Sequence, residues 1–344
     1  MRTCMKAWLL ALVLCSSAGL YAGEPEVNLI AMGDWGRGNA EQKAVAEGMA
    51  VYAAAMQKEH PIDAVLLLGD NFYTKLPGDE KSEEWKTVFE DVYDAKRLSM
   101  PFYVALGNHD YEAMKSEAEM KYAKEHPDSR WKMPAKWYRV DLPKEKPLVT
   151  LLCVDTHPVN VNTELGPEQR QWLEGELKKE RGAWTIVYGH HPLYSDGRHG
   201  DYEPLKKFFG ELYAKYKVEF YLAGHDHDLE HLQIKDLPTS FIVSGAGGGA
   251  LYDLTEPAKR RGFGRKQLGF VGLTLTADLA TVRFLDEKGQ ELYVFTRDKK
   301  GEIKVVKEPA PEPPAPAKDP APAKQSDVPG KDAPAPTPAP TAAP

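Results

Sequence analysis

The chain contains little cysteine, three residues in 344. Cys4 and Cys15 fall within the first 22 residues, which leaves Cys153 alone in the remainder. No internal disulfide is therefore expected, although the export route inferred below would permit one. Cys153 lies in the apolar run Leu148 to Val154 and reads as a small buried core residue. A surplus of positive charge is also missing, since 44 Lys and Arg face 51 Asp and Glu for a net charge of -7. That balance argues against a nucleic-acid partner, which would need a basic face. An anionic substrate would then need positive charge built into its site, and bound metals supply such charge locally. Long apolar runs are absent too. The longest, Ala7 to Leu14, is too short for a comfortable membrane span.

That run has a different reading. Arg2 and Lys6 precede it and small residues follow through Ala22, the pattern of a signal peptide over residues 1–22. A secreted or periplasmic location is expected. Cys15 suggests a lipid anchor, but Leu14 before it is too bulky for the usual lipoprotein pattern. The other end is equally distinct. Thirteen of the 27 prolines lie between Glu308 and Pro344, among Ala and small or charged residues. Such a segment cannot bury enough apolar surface to fold. Residues 301–344 are therefore expected to form a disordered Pro/Ala-rich tail, either an envelope spacer or partner-binding arm, or a solvated end with no partner. Residues 23–300 remain for a single catalytic domain.

Within that domain one design recurs. An aliphatic strand stops at a glycine, and a side chain able to hold a metal follows. Val27 to Met32 ends in Gly33-Asp34, and Ala64 to Leu68 ends in Gly69-Asp70-Asn71-Phe72-Tyr73. Pro101 to Leu106 ends in Gly107-Asn108-His109-Asp110, and Trp184 to Tyr188 in Gly189-His190-His191. Val218 to Ala223 ends in Gly224-His225-Asp226-His227. Open α/β sheets bind ligands at the carboxyl ends of their strands. An Asp after Gly is common turn chemistry, but turns have no need of histidine. In an extended segment His-x-His would put both rings on one face, the strongest single metal signal in the chain. Adjacent strand-end residues point opposite ways, so His190 rather than His191 is expected to face the site. Asp155, after the strand Leu148 to Val154, reads as a turn or hydrogen-bonding residue. The glycines from Gly245 to Gly249 lack the Lys and Ser/Thr of a phosphate-binding loop and read as a flexible turn. His60, His126, His157 and His231 lack such context and read as structural or exposed.

Helices are expected from Ala40 to Lys58, around Trp85 to Val92, from Glu112 to Lys124 and from Pro167 to Lys179. Three alternating strands between Phe270 and Thr296 read as a closing antiparallel meander. The strand-end residues assemble into two ligand groups. Asp34, Asp70, Tyr73 and His227 form a hard, anionic set that favours Fe(III). Asp70, Asn108, His190 and His225 form a softer set suited to Fe, Zn or Mn as a second, divalent metal. Asp70 is common to both, and such a pair suits metal-activated hydroxide attack on phosphorus.

Taken in order, Gly-Asp, Gly-Asp-x-x-Tyr, Gly-Asn-His-Asp, Gly-His and Gly-His-x-His resemble the calcineurin-like metallophosphoesterase superfamily. Tyr73 narrows the resemblance to purple acid phosphatases of the small, tartrate-resistant type, over roughly residues 28–296. The resemblance implies an α/β fold, a four-layer α/β/β/α sandwich, and hydrolysis of phosphate monoesters in mild acid. It gives the two ligand groups the same assignment and implies that His109 and His199 contact substrate and protonate the leaving group. A monomer acting on a small phosphorylated substrate is expected. A phosphodiesterase or nucleotide hydrolase on the same centre is the enzymatic alternative. An envelope-associated interaction protein working through its tail is the other.

One departure from the resemblance is testable. Mammalian relatives carry a long repressive loop after the Asp-Thr pair, whereas here Asp155-Thr156 reaches the Pro167 helix by a short connection. Full activity is expected without proteolytic nicking. A many-fold rise in rate after limited proteolysis, at unchanged metal content, would contradict this.

Overall fold

The computed structural model describes residues 25–56, 60–77, 79–158, 165–255 and 259–311. The signal-peptide and distal-tail expectations fall outside these residues, as does most of the connection after Thr156. No helix among the described residues is long and apolar enough to cross a membrane.

Two sheets form the centre. The first has eight strands: β1 (Val27–Met32), β2 (Ala64–Leu68), β3 (Phe102–Ala105), β4 (Trp131–Lys132), β12 (Gly269–Leu275), β13 (Leu279–Asp286), β14 (Glu291–Asp298) and β15 (Ile303–Lys307). Their order is β15-β14-β13-β12-β1-β2-β3-β4. The second has seven: β5 (Tyr138–Leu142), β6 (Val149–Cys153), β7 (Trp184–Tyr188), β8 (Phe220–Ala223), β9 (Leu229–Gln233), β10 (Ser240–Ser244) and β11 (Gly262–Arg265). Their order is β11-β9-β10-β8-β7-β6-β5. In each sheet the strands leading to the motifs are parallel: β1, β2 and β3 in one, and β6, β7, β8 and β10 in the other.

Alternation along these strands separates the layers. Leu29, Leu66 and Leu68 of the first sheet meet Leu151, Ile186 and Leu222 of the second in one core between the sheets. Ile30, Met32, Val65 and Leu67 face outward, into a second core with α1 (Ala40–Met56) and α2 (Lys115–Glu125). On the far side, Val187, Tyr221 and Ala223 pack with Leu173 and Leu177 of α3 (Leu165–Lys178) and with Phe209, Leu212 and Tyr213. The result is the expected α/β/β/α sandwich. Strands buried on both faces explain why the sequence shows uninterrupted aliphatic runs rather than alternation.

Some elements differ from their sequence readings. The stretch expected as a helix around Trp85 forms a single wide turn, Trp85–Glu90. Its Trp85 and Phe89 join Trp35, Phe72, Tyr93 and Trp131 in an aromatic cluster whose packing fixes the chain without a longer helix. The helix expected from Glu112 begins at Lys115, because Ala113 and Met114 adopt positive φ of 53° and 58°. Ordered structure also continues past residue 300. β15 pairs antiparallel with β14, so the sheet extends to Lys307, inside the segment read as tail.

One buried carboxylate ties the β2 and β3 loops together. Asp110 Oδ1 accepts the amides of Asn71 and Phe72, at 2.8 and 3.1 Å. Its Oδ2 accepts the Gly107 amide at 2.8 Å and Asn71 Nδ2 at 3.1 Å. Asn71 also donates to Ala105 O and to the buried Glu119, while Phe72 fills the aromatic cluster. Asp110→Asn would turn an NH₂ toward two of these N–H donors in either orientation. A loss of about 2–5 kcal/mol is expected in urea unfolding; a loss below about 0.5 kcal/mol would contradict this role.

Candidate metal centre

The strand ends of both sheets converge on one point. Across the junction Gly33 N donates to Ser244 O at 2.7 Å, and within the first sheet Asp34 N donates to Gly69 O at 3.0 Å. His190 Nδ1 reaches Leu68 O, linking the end of β7 to that of β2. The chain turns sharply here, and three non-glycine residues take positive φ: Asp34 at 60°, Asp70 at 51° and His225 at 70°. Such a conformation costs about 1–3 kcal/mol each and persists only where the surroundings over-determine it.

Two neighbouring glycines are explained by the same crowding. A Cβ on Gly107 would lie 2.2 Å from Asp70 Oδ1, and one on Gly224 would lie 2.4 Å from Asp34 Oδ2. Only bare backbone fits against these carboxylates.

The expected ligands form two contiguous groups. Tyr73 Oη lies 3.1 Å from Asp70 Oδ2, 3.1 Å from His227 Nε2 and 3.4 Å from Asp34 Oδ1. On the other side His190 Nε2 lies 3.4 Å from Asp70 Oδ1, 3.0 Å from Asn108 Oδ1 and 3.2 Å from His225 Nδ1. Asp70 thus presents one oxygen to each group. His225 and His227 reach different groups, because their segment is not extended as the sequence suggested. It runs through tight turns, Asp226 N to Gly224 O and Asp228 N to Asp226 O, before β9 begins.

The donor chemistry fits cations. His190 Nδ1 faces the Leu68 carbonyl and His227 Nδ1 faces the Ala250 carbonyl at 2.7 Å. A carbonyl only accepts, so both Nδ1 atoms carry the proton and both Nε2 lone pairs point into the centre. There they meet the carboxylates of Asp34 and Asp70 and the side-chain oxygen of Asn108, which are also acceptors, and the Tyr73 hydroxyl has a single proton to offer. Electrostatics show the same mismatch. Burial, then the charges of Asp34 and Asp70, push the Tyr73 phenol far above its ordinary range. Burial opposes ionisation of Asp70, yet His190 and His109 hold its carboxyl low. Burial also disfavours a charged His190, but Asp70 and then Asp34 raise its affinity for a proton. His225 is pushed down to about 3 by burial and by His190. A set of lone pairs facing one another needs positive charge among them, and bound metal ions would provide it.

His109 and His199 sit at the rim, with side chains 37% and 40% exposed. The His109 amide donates to Asp70 Oδ1 at 2.9 Å, and its ring packs 4.6 Å from that of Tyr73. His199, although partly exposed in a loop, is held by its neighbours. Its ring stacks 4.2 Å from His225, and its Nδ1 lies 2.7 Å from Asp226 Oδ1. Asp226 also takes the His199 amide and a hydrogen bond from Ser195. Nothing in the local sequence marked Asp226, Asp110 or Thr156 as supports of this centre. Asp155 does act as a hydrogen-bonding residue, accepting from the Tyr111 hydroxyl and the His157 amide.

If cations resolve the mismatch, removing them should expose it. Exhaustive chelation at neutral pH is expected to lower the melting temperature by several degrees, reversed by adding metal back. An unchanged melting temperature with metal demonstrably removed would contradict the argument.

The calcineurin-like phosphoesterase family matches residues 27–229. Purple acid phosphatase 17 of Arabidopsis thaliana is 31% identical over 296 residues, spanning 79% of this chain and 85% of that protein. Tartrate-resistant acid phosphatase type 5 of Homo sapiens is 29% identical over 309 residues, spanning 78% and 90%. Among solved structures, purple acid phosphatase PPD1 from yellow lupin, Lupinus luteus, superposes with a TM-score of 0.60 at 19% identity, over 80% of this chain and 54% of that one. GAP50 of the Plasmodium inner membrane complex superposes with a TM-score of 0.66 at 21% identity, over 82% and 90%. The structural likenesses speak for the fold and the sequence likeness for descent: the chain belongs to the purple acid phosphatases of the calcineurin-like phosphoesterase family.

Proposed function

We propose that the protein is an exported, metal-dependent acid phosphatase that hydrolyses phosphate monoesters at a dinuclear centre. The observation that carries this reading is the position of Asp70, one oxygen toward Tyr73 and the other toward His190. Asp34, Asp70, Tyr73 and His227 would hold Fe(III), and Asp70, Asn108, His190 and His225 a divalent Fe, Zn or Mn ion. When bound, such a pair supplies a nucleophilic water at working pH and positive charge for the phosphoryl oxygens.

The chain's own residues do the rest. His109 at the rim would hold a phosphoryl oxygen, together with Asn108. His199 would protonate the departing alcohol. Asp226 orients it by accepting from Nδ1–H, which leaves Nε2 as the atom that would carry the transferred proton in the charged ring. Arg37 lies with its guanidinium 3.8 Å over the Tyr73 ring, where its charge favours the phenolate against Asp34 and Asp70. Export is supported by the composition of residues 1–22. The Pro/Ala tail would act as a spacer or partner-binding arm outside the catalytic unit.

Tyr73 is the sharpest test. The pure protein is expected to be coloured by a tyrosinate–Fe(III) absorption band that disappears in Tyr73→Phe. Phosphate monoesters should also be hydrolysed faster than diesters carrying the same chromophore. A colourless active enzyme loaded with zinc or manganese would overturn the ferric assignment, and a preference for diesters would overturn the monoesterase assignment.

A further inference from the structure

A cavity of about 270 Å³ opens beside the candidate metal centre, on the side of His225 and His199. Its remaining walls are Pro158, His191, Pro192, Gly200 and Tyr202. Among the described residues no carboxylate, lysine or arginine lines it, although the chain as a whole carries a net charge of -7. Its volume falls below the roughly 300–1,000 Å³ of pockets that take whole drug-sized ligands. It suits one ring system rather than a nucleotide.

His191 gives this cavity a polar group of fixed sense. Thr156 Oγ1 accepts the His190 amide at 3.2 Å and the His191 amide at 2.9 Å. Those two bonds use both of its lone pairs, so its own proton goes to His191 Nδ1, at 2.9 Å. His191 Nδ1 is therefore an acceptor and the ring proton is on Nε2, which makes that atom a donor and not a metal-binding lone pair. Tyr221 Oη fixes the backbone by donating to His191 O at 2.6 Å. Nε2 has no protein partner among the described residues, yet it is not among the sealed, unpartnered atoms. It is the ring nitrogen not engaged by Thr156, on a ring that lines the cavity. Tyr202 stands opposite, its ring 6.0 Å from that of His191 at an angle of 34°. His199, the residue that would protonate the leaving group, shares this cavity.

We propose that the cavity is a leaving-group pocket selecting aromatic phosphate monoesters whose ring carries a hydrogen-bond acceptor. Tyr202 and the two prolines are its walls and His191 Nε2–H is its donor. The proposal rests on the phosphatase reading and names the substrate class of that same site.

Hydrolysis-resistant phosphonates test it by binding alone, on the metal-loaded full chain. Phenylphosphonate is expected to bind about tenfold more tightly than methylphosphonate. The best of the isomeric pyridylphosphonates should gain a further threefold to tenfold, roughly one hydrogen bond. His191→Leu should abolish the pyridyl advantage but keep phenyl over methyl, whereas His191→Gln, which retains a donor, should recover part of it. Tyr202→Ala should erase the preference for phenyl. These ratios cancel any general loss of folding or metal, so a purely structural role for either residue would leave them unmoved. If no phosphonate binds at all, the phosphatase reading itself fails. If methylphosphonate binds as well as the aryl compounds, or His191→Leu keeps the pyridyl advantage, only the pocket assignment falls.

Discussion

Asp70 stands where two groups of electron-pair donors face each other with too few protons between them. One carboxylate oxygen belongs to the group around Tyr73 and His227, the other to the group around His190 and His225. Acceptors brought together with too few donors among them repel one another, and burial amplifies the repulsion. The backbone is bent into left-handed conformations at Asp34, Asp70 and His225 to achieve this arrangement. A fold that holds such an array in place gains nothing from it structurally. Its use lies in what the array binds.

The rest of the molecule can be read as the apparatus that keeps the array together. Each sheet brings its parallel strands to the same edge, and the core between the sheets fixes their separation. Hydrogen bonds then cross from one sheet to the other at the strand ends themselves. Asp34 Oδ2 accepts the His225 amide at 2.8 Å, so a candidate ligand from the first sheet also positions one from the second. Asp110 does the same between the β2 and β3 loops. Crowding at Gly107 and Gly224 leaves room for no side chain beyond those already committed to the site.

Much of this was legible in the sequence. Each strand bearing a candidate ligand is a short aliphatic run ending in glycine, and the following residues carry the relevant chemistry. That local signature is what singles out Asp34, Asp70, Tyr73, Asn108, His190, His225 and His227 as candidate ligands. What stayed hidden depends on distant pairing. β9 is charged, with His231 and Glu230 both buried, and only its neighbours β10 and β11 make it a strand. β15 looked like the start of the tail, because its burial is slight and its pairing with β14 supplies the order. The tight turns at His225 could not be inferred from a His-x-His spacing that also suits a strand. His191 was set aside by the alternation rule. The rule is right about its different environment, but the ring still stands beside the centre, 4.4 Å from that of His225. Asn71 and Phe72 had no evident role until Asp110 and the aromatic cluster were seen to hold them.

The central claim is that Asp70 is shared between two metal ions. Anomalous X-ray scattering from crystals of the metal-loaded protein tests it most directly. The account predicts two peaks about 3.5–4 Å apart, one on each side of the Asp70 carboxylate. The peak beside Tyr73 should carry the signature of iron. A single peak, or two peaks of which only one lies within coordinating distance of Asp70, would contradict it.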